Sequence, residues 1–295
     1  MKSNILFLLA FVFSQNSNAQ RASADAVKTA IQNRLATVEG AFAVAFKDLK
    51  TGKTLFVNEK ESFHAASTMK TPVMIEVYKQ AKAGKFSLKD SIPLKNEFKS
   101  IVDGSPFSLN IADDSADSIY QKIGYKMTIF DLTYQMIIRS SNLATNVLID
   151  LVVAKNVNAT MRTFGANDIQ ILRGVEDTKA FEKGLNNTVT AYDLMLIYEK
   201  IAKHKAINKR ASKEMIKILI DQNFNSVIPA KLPKNVVVAH KTGSITGVQN
   251  DSGIVYLPDG RKYVVVLLSK KLTDTKAGIA ALADVSEMLY KYLTQ

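Results

Sequence analysis

VVVAHKTGSITGVQNDSGIVYLPDGRKYVVVLLS, residues 236–269, is the stretch on which the fold turns. It holds three apolar runs, VVVAH (236–240), SGIVYL (252–257) and KYVVVLLS (262–269), separated by Gly243, Gly247 and the turn Pro258-Asp259-Gly260. Valine-rich runs bounded by turn residues read as strands, because β-branched side chains pack well on a pleated surface. Near the other end of the chain, AFAVAFKD (41–48) alternates small or apolar with bulkier residues, LKTGK (49–53) supplies a turn glycine, and TLFVN (54–58) returns. A hairpin alone is marginal in water, so these two strands need the late three. The economical solution is an α/β fold of the α+β type, with one antiparallel sheet built from both chain ends. Helices at the termini pack it: a run over 24–37 places Ala26, Ile31 and Leu35, with Val38 just beyond, at near-helical spacing, and another spans Ala277 to Leu293. From Thr68 to about Ile220 the pattern is helical, which inserts an all-helical part into the sheet. The expected organisation is a single domain over 20–295, with its sheet part at about 20–62 and 228–295 and its helical part at about 63–227. A ligand cleft belongs between the two parts.

The chain has 295 residues, 47% of them hydrophobic and 22% charged, which suits a globular protein with a large core and excludes a disordered one. Residues 1–19 read as a secretory signal peptide: Lys2, an apolar run from Ile5 to Phe13, then Ser17-Asn18-Ala19 with cleavage after Ala19. That apolar run is too short for a bilayer core, which needs roughly twenty residues, and no later segment comes closer. The mature chain is therefore expected to be periplasmic or secreted, without stable membrane insertion. Cysteine is absent, so packing alone must stabilise it there. The formal charge of +12 comes from scattered lysines with no run of five cations, the mark of a solvated basic surface. Nucleic acid is not an expected partner, and a monomer is the default.

Three short motifs carry the chemistry. Ser67-Thr68-Met69-Lys70 opens the helical run TMKTPVMIEVYKQAKAG, with Pro72 in its early turns. Serine and lysine three apart face the same side of a helix. A serine hydroxyl is a poor nucleophile until a base takes its proton, and a desolvated neutral lysine amine can do so. At a helix start Ser67 would also have free N–H groups and the positive dipole end nearby, which suits an oxyanion. Ser140-Ser141-Asn142 precedes the helical run NLATNVLIDLVV: Ser140 would relay a proton to a leaving nitrogen and Asn142 would bind a substrate amide carbonyl. Lys241-Thr242-Gly243 ends the strand VVVAH, where the ammonium would hold a carboxylate, Thr242 would add a hydroxyl, and Gly243 would let a ligand approach closely. A second K-T-G at Lys50 lies inside a hairpin turn and reads as turn chemistry. Each triplet alone reads equally well as a helix cap or turn; their ordered combination carries the weight.

S-x-x-K, S-x-N and K-T-G in this order resemble the class A serine β-lactamases and the related penicillin-binding proteins. The resemblance extends over nearly the whole mature chain, through ASTMKTPVM, RSSNLATNVL, NNTVTAYDL and VVVAHKTGS. It implies a β-lactamase/transpeptidase-like fold and hydrolysis of a β-lactam through an acyl-enzyme on Ser67. Lys70, or a water held by a glutamate, would deprotonate Ser67, and the N–H groups of Ser67 and Ser244 would hold the oxyanion. Ser140 would protonate the nitrogen, and Lys241 and Thr242 would grip the carboxylate. The family's deacylating glutamate has two candidates. Glu182, in Glu182-Lys183-Gly184-Leu185-Asn186, matches the family's local form, whereas Glu176, in Arg173-Gly174-Val175-Glu176-Asp177, matches its separation from Ser140. Loop length limits side-chain reach more than a local match does, so Glu176 is preferred and Glu182 is the alternative.

The chain departs from the family twice. Ser141 stands where the family usually has an aspartate that braces the cleft, and the segment between Lys70 and Ser140 is longer than usual. That insertion includes the Asp-rich DDSADS (113–118) and reads first as a solvated loop near the cleft mouth, with a substrate-shaping segment as the lesser reading. Asn146 resembles a family asparagine that braces the glutamate loop. His64, His204 and His240 are isolated and there is no cysteine, so neither a zinc centre nor any other cofactor is expected. Two other readings stay open: a D-alanyl-D-alanine peptidase or slow penicillin-recognising hydrolase using the same serine, and a non-catalytic binder of β-lactams or cell-wall fragments.

Overall fold

The computed structural model describes residues 23–295; the leader read over residues 1–19 lies outside them. Five strands form one antiparallel sheet: β1 (Ala41–Asp48), β2 (Thr54–Val57), β3 (Val237–Ile245), β4 (Val248–Tyr256) and β5 (Lys262–Lys270). Their spatial order is β2-β1-β5-β4-β3, so the N-terminal hairpin joins the C-terminal strands at β1 and β5, where Ala41 opposes Lys270 and Asp48 opposes Tyr263. The sheet is thus built from both ends of the chain.

The alternation in AFAVAFKD has a physical reading. Phe42, Val44 and Phe46 point to one face and pack with Val27, Ile31 and Leu35 of α1 (Ala24–Leu35) and Leu282, Val285 and Leu289 of α9 (Thr275–Thr294). Ala43 and Ala45 point the other way, into the core shared with the helical part. Helices cover both faces, and β5 divides likewise: Tyr263, Val265 and Leu267 meet the terminal helices, whereas Val264, Val266 and Leu268 meet the inserted ones. Small residues on the second face let the helices approach closely. Ser23 caps α1 by accepting the Ala26 N–H, and Asp274 caps α9 by accepting that of Ala277.

The insertion contributes α2 (Lys70–Lys82), α3 (Ile129–Ile138), α4 (Asn142–Val152), α5 (Ala154–Thr163), α6 (Thr178–Glu182), α7 (Ala191–Ala202) and α8 (Lys209–Ile220). α2 runs through its centre, with Val73, Met74, Ile75 and Val77 fully buried. Among the described residues no helix is long and apolar enough to cross a membrane.

Candidate active site

Ser67 lies in a tight 3-10 turn, Ala66–Met69, that runs into α2, so Lys70 and not Ser67 heads the α-helix. The turn is held by Thr68 Oγ1, which donates to Ala65 O at 2.6 Å, and by the Ala66 N–H, which donates to His64 Nδ1 at 3.0 Å. β3 passes directly behind it. A Cβ on Gly243 would fall 2.9 Å from Ser67 N, 3.0 Å from Thr68 N and 3.1 Å from Ala65 O, so only glycine lets strand and turn lie this close. The strand expected to end at His240 continues to Ile245, because Lys241 to Ser244 stay paired with Ser252 to Gln249.

Lys70 and Lys241 are both fully buried, and they converge on Ser140. Lys70 Nζ donates to Ser140 O at 2.6 Å, to Asn142 Oδ1 at 2.9 Å and to Ser140 Oγ at 3.2 Å. Lys241 Nζ donates to the same hydroxyl at 3.0 Å and to Thr242 O at 2.9 Å. Ser140 adopts the left-handed backbone conformation (φ 57°), uncommon away from glycine, and this turn presents its hydroxyl and carbonyl to the two amines. Burial drives Lys70 down to about 7, although the charges of Asp114 and Glu176 oppose the fall. Burial, then the neighbouring Lys70 charge, lowers Lys241 against the pull of Asp251. Two ammonium groups around one hydroxyl in a dry site repel, so the arrangement favours one neutral amine near neutral pH.

The two glutamates part company. Glu176, also in the left-handed region (φ 60°), accepts from Asn142 Nδ2 at 2.7 Å through Oε1 and from the Asn110 N–H at 3.1 Å through Oε2. Burial raises its carboxyl above the ordinary value against these two donors. Asn142 therefore joins Lys70 to Glu176 through the two ends of one amide. Ser67, Asn142, Glu176 and Ser244 line a common cleft of about 520 Å³, together with Phe181 and Ile245. Glu182, the last residue of α6, is exposed and does not line it. Lys70, Ser140, Lys241, Thr242 and Gly243 stand beside the cleft rather than on its lining. Among the described residues no hydrogen bond joins Ser67 Oγ to Lys70, whose amine is held by Ser140 and Asn142.

The β-lactamase enzyme family profile matches residues 26–293. The chain belongs to the β-lactamase enzyme family. It is 25% identical to β-lactamase VEB-1 of Pseudomonas aeruginosa over 99% of this chain and 98% of that one. A β-lactamase structure from Sphaerobacter thermophilus aligns at 27% identity and a TM-score of 0.77, covering 90% of this chain and 96% of the other. The structure of PBP-A aligns at 25% identity and a TM-score of 0.78, covering 91% and 96%. With the family match, these likenesses make the chain a hydrolase of the β-lactamase enzyme family with a β-lactamase/penicillin-binding-protein-like fold.

How this β-lactamase family member holds its glutamate loop is written in amides. Asn146 accepts the Val175 N–H at 2.7 Å and donates to Val175 O at 3.0 Å, gripping both polar groups of the residue before Glu176. Gly174 makes room for it, since a Cβ there would sit 2.1 Å from Asn146 Oδ1. Asn187 accepts the Leu172 N–H at 2.8 Å and donates to Arg173 O at 3.0 Å and to Met69 Sδ at 3.0 Å, tying the base of the loop to the Ser67 turn.

The insertion between α2 and α3, expected to be a solvated loop, is a wall of the site. Ser100 Oγ and the Ile101 N–H donate to Asp177 at 2.9 Å, and Asn110 reaches Glu176. Asp114 Oδ2 accepts the N–H groups of Asn142 at 2.8 Å and Leu143 at 2.9 Å. Composition hid this role: DDSADS is polar, and nothing in its spacing distinguishes the buried Asp114 from exposed neighbours. Ser141 offers the one available clue, because a helix start lacking its usual carboxylate needs another acceptor.

Proposed function

We propose that this protein is a class A serine β-lactamase that hydrolyses the β-lactam amide of penicillins and cephalosporins through a Ser67 acyl-enzyme, and that it confers resistance from a periplasmic or secreted location. The observation that carries this reading is the hydrogen-bonded chain Lys241–Ser140–Lys70–Asn142–Glu176, packed against the Ser67 turn. It supplies two amines, a relay hydroxyl and a carboxylate in the order that amide opening and ester hydrolysis require.

As a neutral amine, Lys70 has two N–H groups, which Ser140 O and Asn142 Oδ1 occupy. Its lone pair is then free to take the Ser67 proton. The Ser67 oxygen attacks the lactam carbonyl, and the N–H groups of Ser67 and Ser244 hold the oxyanion. As the C–N bond breaks, Ser140 gives its proton to the nitrogen and recovers one from Lys70, which returns that amine to neutrality. Lys241 and Thr242 hold the substrate carboxylate. In the second half-reaction Glu176 takes a proton from water as the oxygen attacks the ester, and that proton passes on to Ser67 Oγ as it leaves, which restores the carboxylate. Glu176 is the better candidate for that step because it shares the cleft with Ser67, whereas Glu182 faces solvent. The substrate is a small molecule, no metal or cofactor takes part, and the enzyme acts as a monomer.

A second reading is a D-alanyl-D-alanine peptidase or slow penicillin-recognising hydrolase in which the ester persists; the similar structure of a PBP-A mutant is an acyl-enzyme complex with penicillin G. Nitrocefin separates the two. Sustained turnover by the purified mature chain supports the lactamase, and a stoichiometric burst that stalls supports the second reading. Absence of a covalent penicillin G adduct in the intact mass, or an adduct that survives Ser67→Ala, overturns both.

A further inference from the structure

The start of α4 has an unusual construction. Ser141 is its N-cap, fully buried, and its hydroxyl oxygen accepts the Ala144 N–H at 3.2 Å. The next two backbone donors, the N–H groups of Asn142 and Leu143, are satisfied from outside the helix by Asp114 Oδ2, which also accepts from Ser141 Oγ at 3.2 Å. The other oxygen, Asp114 Oδ1, accepts the Ala116 N–H at 2.9 Å. Asp114 is 8% exposed, so this carboxylate is buried with four donors around it. A buried carboxylate at a helix N-terminus is strongly held, because the donors and the dipole both favour its charge.

The turn it grips is the one that bears Ser140 and Asn142. Two more bonds fasten the same segment to it: Asn142 Nδ2 donates to Asp113 O at 3.2 Å and Arg139 Nη2 to Ser115 O at 3.3 Å. The left-handed conformation at Ser140 needs such support to persist. We propose that Asp114, delivered by the insertion between α2 and α3, is the positioning residue that sets the Ser140–Asn142 turn, in place of a carboxylate carried by residue 141 itself. This inference rests on the acyl-enzyme reading above for its kinetic consequences and on hydrogen-bond geometry alone for its structural ones.

The geometry makes a testable demand. Ser141 Oγ and Asp114 Oδ2 are in contact, so a carboxylate on residue 141 would compete for the space and donors that Asp114 already holds. Either carboxylate serves; two repel, and none leaves the Asn142 and Leu143 N–H groups bare. Asp114→Ala should slow penicillin G acylation by roughly ten- to a hundredfold, the scale of an ångström misplacement of reacting groups. Ser141→Asp alone should also acylate more slowly and melt lower than the unaltered protein. The double variant should recover to within about twofold of the unaltered protein in acylation rate, because effects at two residues in contact do not add. Asp114→Asn supplies a readout that mere scaffolding would not move. It retains an acceptor for the helix N–H groups but removes a charge facing Lys70, whose other charged neighbours are Glu176 and Lys241. The acid limb of the acylation pH profile should then move to lower pH.

Independent, additive losses in Asp114→Ala and Ser141→Asp would overturn the assignment, as would normal acylation by Asp114→Ala or an unmoved acid limb in Asp114→Asn. Melting temperatures of the four proteins report the same coupling without catalysis. If the unaltered chain forms no adduct, the acyl-enzyme reading fails while the melting cycle still decides whether residues 114 and 141 share one task. If Asp114→Ala does not fold, rescue of folding by Ser141→Asp supports the inference, and failure of rescue overturns it.

Discussion

Substituting Gly243 by alanine isolates the contact that brings K-T-G to the nucleophile. The added methyl would sit 2.9 Å from Ser67 N and 3.0 Å from Thr68 N, against an optimal carbon separation of about 3.5 Å, so strand and turn must part by roughly half an ångström. Both obstacles are backbone atoms of a tight turn, and no side chain can swing aside. Overpacking of this kind costs about 1–3 kcal/mol of stability. A displacement of about 1 Å at reacting groups costs ~10²-fold, so half that distance predicts about a tenfold slower acylation of Ser67. Quenched-flow mass spectrometry of the penicillin G adduct measures the rate, and a thermal melt measures the stability. A Gly243→Ala protein that acylates at the unaltered rate would show that the strand–turn contact does not set the Ser67 geometry, and the convergence argument would fail with it.

Glu176→Gln should acylate but accumulate the adduct, with turnover of nitrocefin reduced ~10²–10⁴-fold, whereas Glu182→Gln should turn over normally; a reversal of the two results would exchange their roles. Asn146→Ala strips both partners from Val175 and should cost about 1–3 kcal/mol in denaturant unfolding, slowing ester hydrolysis more than acylation. Acylation should fall as pH drops below Lys70's value of about 7, since the ammonium has no lone pair, and a flat profile from pH 6 to 8 would exclude Lys70 as the base. The same depression acts on stability: above about 7 the unfolded chain holds a proton that folded Lys70 has lost, so stability should rise with pH toward 9, with a shallower slope in Lys70→Met.

The sheet was legible because its two sources each declare themselves: the Ala/Phe alternation of 41–48 and the valine runs of 236–269 are strong patterns of period two or of full burial. S-x-x-K, S-x-N and K-T-G were legible as an ordered set. What escaped was whatever depends on contacts between distant loops. Loop length already preferred Glu176 to Glu182, but the left-handed backbone at Glu176 that lets its carboxylate meet Asn142, and the exposure of Glu182 at the end of α6, had no mark in the sequence. The extension of β3 through Gly243 to Ile245 was hidden because glycine lowers strand propensity, yet here it is demanded by the turn behind the strand. Asp114 and Asn187 matter through hydrogen bonds to backbone far away in sequence, and a polar residue on a loop carries no mark of what it will meet.

The pairing of β1 with β5 has a consequence for how the molecule comes into being. Residues 41–48 cannot find their partner until residues 263–270 exist, so during synthesis the sheet stays open until almost the last helix is made. Contacts this distant make closure slow, since loop entropy is spent before the pairing repays it. An unfinished chain therefore goes without its sheet for nearly the whole of its synthesis, and the last helix packs onto a sheet that has only just closed.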